Sequence, residues 1–362
     1  MNWVLLLLKK IIKDNNNNNN KKQRKNMNNF KKIGMTALAA SLVSTSVFAG
    51  EMTVSGSASI NSEGHSGVGL DAGTTFSMGN QLTFSGSGEL DNGMTVSLSF
   101  VLDQGDDGTT VAPSVTTKKF GDAPFDSHSV TVSSDALGTL VFAGEGGAST
   151  ASSIDTSVAG DIWDSFDGVK SGLVTAAGKM SDSAPGDNAF FYTLPSMVDG
   201  VAVNLSYKPQ GGAAESATGY GVAYTGFDGL AVHYAVTDID TSVATTSGDH
   251  TVLKATYAYG PVTVGYSVSE MDLGTATGTT DKELTSMSVS YTVSEAISVT
   301  YGTEELDLTS ATTDAEYSVI KGSYTSGGMT VSASMADGDN TAHSTAAGED
   351  LEYWSLGLSF AF

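Results

Sequence analysis

The chain has 362 residues, no cysteine and a formal charge of −23. Without cysteine there are no disulfides, thiolate metal sites or thiol nucleophiles. Nine of the 17 basic residues precede Gly50, where Asp14 is the lone acid; from Gly50 on, 8 lysines and no arginine stand against 39 acids, a charge of −31 that repels nucleic acid and attracts cations. No run of 18 or more apolar residues follows Gly50, which excludes membrane-spanning helices but not a membrane barrel, whose strands are only half apolar.

Residues 1–26 follow no structural pattern: Trp3–Leu8 is too short to span a bilayer, and Asn15–Asn20 is a low-complexity run followed by Lys and Arg. Two readings stand, initiation at Met27 or an extended leading segment. Residues 28–49 read as a secretory signal peptide, with a basic stretch Asn28–Lys32, an uncharged stretch Ile33–Val47 and small residues bracketing Phe48 in Val47-Phe48-Ala49. Cleavage is expected to leave Gly50 or Glu51 first; a short buried helix is the alternative. Residues 50–362 are expected to form a single β domain.

From there the chain alternates with period two. Met94, Val96, Leu98, Phe100 and Leu102 alternate with Thr95, Ser97 and Ser99; Val201, Val203, Leu205 and Tyr207 with Ala202, Asn204, Ser206 and Lys208. Met329–Ala336 and Trp354–Phe362 do the same. Successive strand side chains point to opposite faces, so each segment has one apolar and one polar face. Tight turns fall at Asp91-Asn92-Gly93, Ser134–Gly138, Asp199-Gly200, Asp228-Gly229, Gly260-Pro261, Ser294-Glu295 and Gly327-Gly328. Longer polar stretches fall near 61–79, 104–126, 145–187, 209–217, 238–248, 271–280, 305–313 and 337–350. Eight long loops alternating with seven tight turns predict sixteen strands, the arrangement of a transmembrane barrel.

A secreted soluble β protein of surface or adhesin type also alternates. Against it, the polar faces here are mostly Ser, Thr, Gly and Ala, where a soluble surface carries many Lys and Glu. Phe362 also ends a strand, and in lipid that strand must pair with the first, near Glu51–Ile60. Tyr207, Tyr224, Tyr234, Tyr257, Tyr259, Tyr266, Tyr291, Tyr301 and Trp354 are expected on the apolar faces, as in an interfacial girdle.

The signal sequence, sixteen strands, one very long third loop and terminal Phe together resemble the Gram-negative general porins, especially the small acidic alphaproteobacterial type. The likeness covers Glu51–Asp107 and Gly121–Phe362 and lies in architecture, with Phe190–Gly200 its most family-like stretch. It implies a 16-stranded antiparallel transmembrane β-barrel with the third loop folded into the lumen. It further implies a homotrimer in outer-membrane lipid and lipopolysaccharide, and a water-filled channel passing small hydrophilic solutes and ions by diffusion. The constriction would come from the third loop through Glu145, Asp155, Asp161, Asp164, Asp167 and Asp182, against only Lys170 and Lys179, with Ile162, Trp163 and Phe166 packed on the wall. An acidic surface loop that never enters the lumen is the alternative. Relatives place an arginine cluster opposite this loop; here Lys208, His233 and Lys254 are the candidates for that opposing wall. Uncompensated carboxylates predict a preference for cations.

No cofactor is expected. Asp103, Asp106 and Asp107, and Asp337 with Asp339 and Asn340, cluster oxygen ligands that suit Ca²⁺, though solvated loop carboxylates are the better explanation. His65, His128, His233, His250 and His343 show no paired metal spacing, and no nucleophile elbow or phosphate loop occurs, so no enzyme is expected. A substrate-specific channel is the remaining alternative, but the inward positions are Ser, Thr and Gly rather than a ladder of aromatics or charges.

Overall fold

The computed structural model describes residues 52–67, 73–103, 125–166, 169, 187–209, 216–241, 247–274, 281–341, 343 and 350–362. The expected signal peptide lies outside them. Sixteen antiparallel strands close into a barrel in chain order. They are β1 (Thr53–Gly67), β2 (Gly73–Glu89), β3 (Thr95–Asp103), β4 (Ser127–Ser134), β5 (Gly138–Glu145), β6 (Ala189–Thr193), β7 (Val201–Lys208) and β8 (Ser216–Tyr224). The second half comprises β9 (Leu230–Asp240), β10 (Gly248–Tyr259), β11 (Val262–Leu273), β12 (Lys282–Ser294), β13 (Ile297–Leu308), β14 (Ala315–Ser326), β15 (Met329–Asp339) and β16 (Leu351–Ala361). The barrel unit is Glu51–Ser87 with Met94–Phe362. Gly88–Gly93 belongs to a separate unit and turns on a Gly93 N–H donated to the Leu90 carbonyl at 2.9 Å.

Closure is made by β1 and β16, in register from Ser57 opposite Ala361 to Gly67 opposite Leu351. Gly56 and Phe362 exchange both backbone bonds, at 2.8 and 2.9 Å, so the last residue is paired to the first strand. The period-two pattern sorts the side chains. Trp354, Leu356, Phe360 and Phe362 of the last strand are exposed on the outside, although they are apolar. All nine girdle aromatics are exposed as well. The buried apolar core lies inside the ring instead, where Ile162 and Phe166 of a 3₁₀ turn (Ile162–Phe166) pack on Leu284, Leu306, Tyr317, Val319, Ala336 and Leu351. Burying such side chains contributes about 1.5–3 kcal/mol each.

The tight turns fall where expected. Gly200 adopts φ 74°, and a Cβ there would run into the Gly226 backbone, so glycine is required. The first long loop does not extend over 61–79: β1 runs to Gly67 and β2 starts at Gly73. Asn61–Gly67 is polar on both faces, so alternation gave no sign of a strand there. Its polar groups have partners that only the closed barrel supplies. The Tyr353 hydroxyl donates to Glu63 at 3.1 Å, and Ser66 donates to Glu352 at 2.7 Å.

Outward and inward positions should respond oppositely to the same charge. Ile320 points outward from β14, so Ile320→Arg is expected to cost about 2–4 kcal/mol in lipid. Ser332 points inward from β15, so Ser332→Arg should leave stability near wild type while changing conductance. Urea unfolding in lipid vesicles, paired with single-channel recording, measures both.

Candidate functional site

The described first part of the segment between β5 and β6, loop 3 (146–166), lies within the barrel against its inner wall. It is held by inward side chains from successive strands. Ser206 of β7 accepts the Thr150 N–H at 3.0 Å, and Thr237 of β9 accepts the Ala151 N–H at 3.1 Å. Ser267 of β11 accepts the Val158 N–H, and Ser286 of β12 the Ala159 N–H, both at 3.1 Å. Lys254 of β10 donates to the Thr156 carbonyl at 2.6 Å. Glu304 of β13 accepts the Ser157 hydroxyl, and the Trp163 N–H at 3.1 Å. Lys321 of β14 donates to the Ala159 carbonyl at 2.7 Å, and His65 of β1 donates through Nε2 to the Ser165 carbonyl at 2.7 Å. A loop has no ladder for its amides, so each needs a partner or incurs a desolvation cost. The hydroxyl row provides several of them.

The wall also makes room. A Cβ at Gly219 of β8 would overlap the Thr150 hydroxyl; one at Gly265 of β11 would sit 2.8 Å from the Val158 Cβ, and one at Gly302 of β13 2.6 Å from the Ala159 Cβ. Inward glycines thus open a groove for the loop backbone, and the hydroxyls beside them take its hydrogen bonds. The tip is apolar. Phe166 stacks on Tyr317 with ring centroids 5.4 Å apart, and His65 lies 4.9 Å from Tyr353.

The acidic residues divide by place. Asp161, with φ 50°, closes the Ser157–Asp161 turn by accepting the Ser157 N–H at 2.9 Å. Burial raises its pKa above the ordinary carboxylate value; the Ser157 bond opposes this, Asp164 adds to it, and Lys254 and Lys321 lower it. Asp164 is exposed, and Asp155 is half-buried. Glu145 ends β5 at the loop's root, 3.9 Å from His128 of β4, and does not join the other carboxylates. Asp167 and Asp182 lie outside the described residues, as do Lys170 and Lys179. So do Asp106 and Asp107; Asp103 closes β3. Among the described residues no group of three or more His, Cys, Asp or Glu is arranged to hold a metal.

Lys208, His233 and Lys254 do not form a wall opposite the loop. Lys254 is bound to the loop itself. His233 stands opposite Lys254 in the β9–β10 register, and Lys208 follows Ser206 on the same inward face of β7. All three belong to the wall that carries loop 3. The described parts of β2, β3 and β4 present inward hydroxyls such as Thr75, Ser77, Ser97 and Thr131, and contain no lysine or arginine. Inward direction is readable from the phase of alternation; position around the ring is not. Glu304, Lys321 and His65 escaped the sequence reading for a related reason. Glu304 looked like the edge of the 305–313 loop, yet the phase of Ile297, Val299 and Tyr301 already places it inward.

A family model described as Gram-negative porin matches residues 34–319, and the chain belongs to that family. The fold agrees with solved structures. An anion-selective porin from Comamonas acidovorans is 17% identical with TM-score 0.62, over 86% of this chain and 99% of that one. A mutant of the Rh. blastica porin is 17% identical with TM-score 0.57, over 86% of this chain and 100% of that one. No curated protein matches the sequence. The protein is therefore a Gram-negative outer-membrane channel with the transmembrane barrel of the porins; it is not an enzyme.

The groove makes a specific demand on size. Gly302→Val is expected to push Ala159 away from β13 and expose loop 3 to protease while the barrel keeps its heat-modifiable migration on gels. Ser286→Ala, which strands one amide, should cost about 1–3 kcal/mol without releasing the loop. Limited proteolysis of the folded channel distinguishes the two.

Proposed function

We propose that this channel passes small hydrophilic solutes and ions by passive diffusion and prefers cations. The observation that carries the reading is the distribution of charge in the lumen. Asp155, Asp161 and Asp164 lie on loop 3, while the described strands β2–β4 offer hydroxyls and no lysine or arginine. Lys254 and Lys321, the lysines bonded to loop 3, give their ammonium groups to loop carbonyls. A unit charge 4 Å from a passing ion is worth about 4 kcal/mol at an effective dielectric of 20 before screening. The Comamonas channel is described as anion-selective, but at 17% identity its selectivity does not carry over.

The reading extends to assembly and setting. The chain is exported by its 28–49 signal and forms a homotrimer. Lipopolysaccharide meets the outer rim. There, outward carboxylates stand opposite one another across the strands, with Asp249 between Asp238 and Asp272, and Glu316 between Glu305 and Asp339. Like charges so placed repel. Divalent cations shared with anionic headgroups relieve that repulsion.

Planar-bilayer recording across a KCl gradient tests the channel. The reversal potential should favour K⁺, most strongly at low salt. Asp161→Asn with Asp164→Asn should move it toward zero at unchanged barrel stability. A wild-type potential favouring Cl⁻ would reject the reading.

The acid limb follows from Asp161. Its raised pKa means its charge is complete only above that raised value and is lost as pH falls through it, before an ordinary carboxylate protonates. Cation preference should begin to fall above the usual carboxylate range. Asp161→Asn should delay that fall to the range of the exposed acids, as reversal potentials from pH 7 to pH 4 would record.

A further inference from the structure

On the tight-turn side of the loop 3 tip, the inner wall of β13–β16 leaves a recess of 390 Å³, within the size range of small-molecule sites. Ile162 and Ser165 of the loop form one side of it, and the strands form the rest. Ser298 is the second residue of β13 and Ser323 the fourth from the end of β14, which places the floor near the turns.

The recess differs in charge from the chain around it. From Gly50 on there are 39 acids against 8 lysines, yet among the described residues no carboxylate lines it. Lys321 is its one ionised lining group, and that ammonium already donates to the Ala159 and Gly160 carbonyls. A cation finds no acid to hold it there, and an anion meets an ammonium that is already engaged.

The lining offers hydroxyls in pairs instead. Ser298 of β13 and Ser323 of β14 are 2.8 Å apart, oxygen to oxygen, and Ser334 of β15 and Ser355 of β16 are 2.7 Å apart. Within each pair one O–H donates to the other oxygen, so the pair keeps one hydrogen to donate and several lone pairs to accept with. Two oxygens at that separation match neighbouring hydroxyls on a sugar ring. A diol can give and take a bond at the same pair, and bonds in such a cycle strengthen one another. The pairs stand two strands apart, about 9.6 Å at ~4.8 Å per strand, and two residues apart along the strands, about 6.6 Å. A sugar with one hydrogen bond at each end bridges that span. Tyr353 adds an aromatic surface, held by His65 at a ring separation of 4.9 Å and by its hydroxyl bond to Glu63 at 3.1 Å. A few placed polar groups beside an aromatic and an aliphatic side chain are the usual make-up of a small-molecule site.

We propose that this recess is a binding subsite for a small neutral polyhydroxylated solute, of mono- or disaccharide size, which pauses there in passing loop 3. The inference rests on the reading that hydrophilic solutes diffuse past loop 3, and it gives that traffic a preferred class. That reading fails separately, if the wild-type protein forms no channel.

The test is ion current through the full-length channel in planar bilayers as glucose is titrated, corrected for the conductivity of the bath. Wild-type current should fall saturably with glucose, and far less with fully O-methylated glucose, which keeps the ring but has no O–H to donate. The double variants Ser298→Ala with Ser323→Ala, and Ser334→Ala with Ser355→Ala, remove both members of a pair and leave no orphan hydroxyl. Each should raise the half-saturating glucose concentration about tenfold, as loss of two hydrogen bonds implies. Reversal potentials and heat-modifiable migration should stay at their wild-type values. If neither double variant folds, Ser332→Phe fills the recess with both pairs intact and should abolish the saturable fall. A wild-type current that only follows bath conductivity would overturn the proposal. So would saturation unchanged in the folded variants, or equal saturation by the O-methylated sugar.

Discussion

Lipid offers no hydrogen bonds, and that one constraint organises the molecule. Each backbone amide and carbonyl at membrane depth must find a partner within the protein. Sixteen strands meet the requirement by pairing in a ring, and the reciprocal bonds of Gly56 with Phe362 complete it. Once the ring is closed, the two faces of each strand have different solvents. The outer face carries Trp354, Leu356 and Phe360 toward lipid, and the inner face carries Ser355, Gly357 and Ser359 toward water. The polarity of an ordinary globular protein is reversed, and the apolar core that remains belongs to loop 3.

Loop 3 poses the same accounting problem on a smaller scale. An irregular segment lying against the inner wall loses water from part of its backbone, and the wall replaces it. Inward Ser and Thr accept its amides, inward Lys donate to its carbonyls, and inward Gly let it approach. The Ile162–Phe166 turn then adds a hydrophobic lock against β12–β16. The small polar residues that make the inner face compatible with water also serve as the docking surface of the loop.

This explains what was legible in the sequence. Period-two alternation reports which face of a strand meets lipid, so the strand number, the tight turns and the outward aromatics could be read from the sequence alone. Where both faces are polar, as in Asn61–Gly67, alternation vanishes and strands looked like a loop. Partners were less legible than elements. Ser157 and Glu304 are 147 positions apart, and Lys254 and Thr156 98 apart, with nothing local in either segment announcing the other. Phase showed that Lys254 points inward, but only ring closure shows that loop 3, rather than open lumen, lies in front of it.

The consequence concerns how charge is used. Lys254 and Lys321, placed against loop 3, have their ammonium groups engaged with its backbone carbonyls, which weakens their field on a passing ion. Glu304 is likewise buried against the loop. Among the described loop residues, Asp164 is exposed and Asp155 and Asp161 are half-buried. Structural and selective charges are thus separated by burial: groups in the wall hold the loop, and groups on the loop face the water. A transverse field between loop and facing wall requires cations on β2–β4, and the described residues of those strands provide hydroxyls instead. The electrostatics of the proposed pore would then depend on where loop 3 stands more than on the wall opposite, which makes its anchoring a determinant of permeation and not of stability alone.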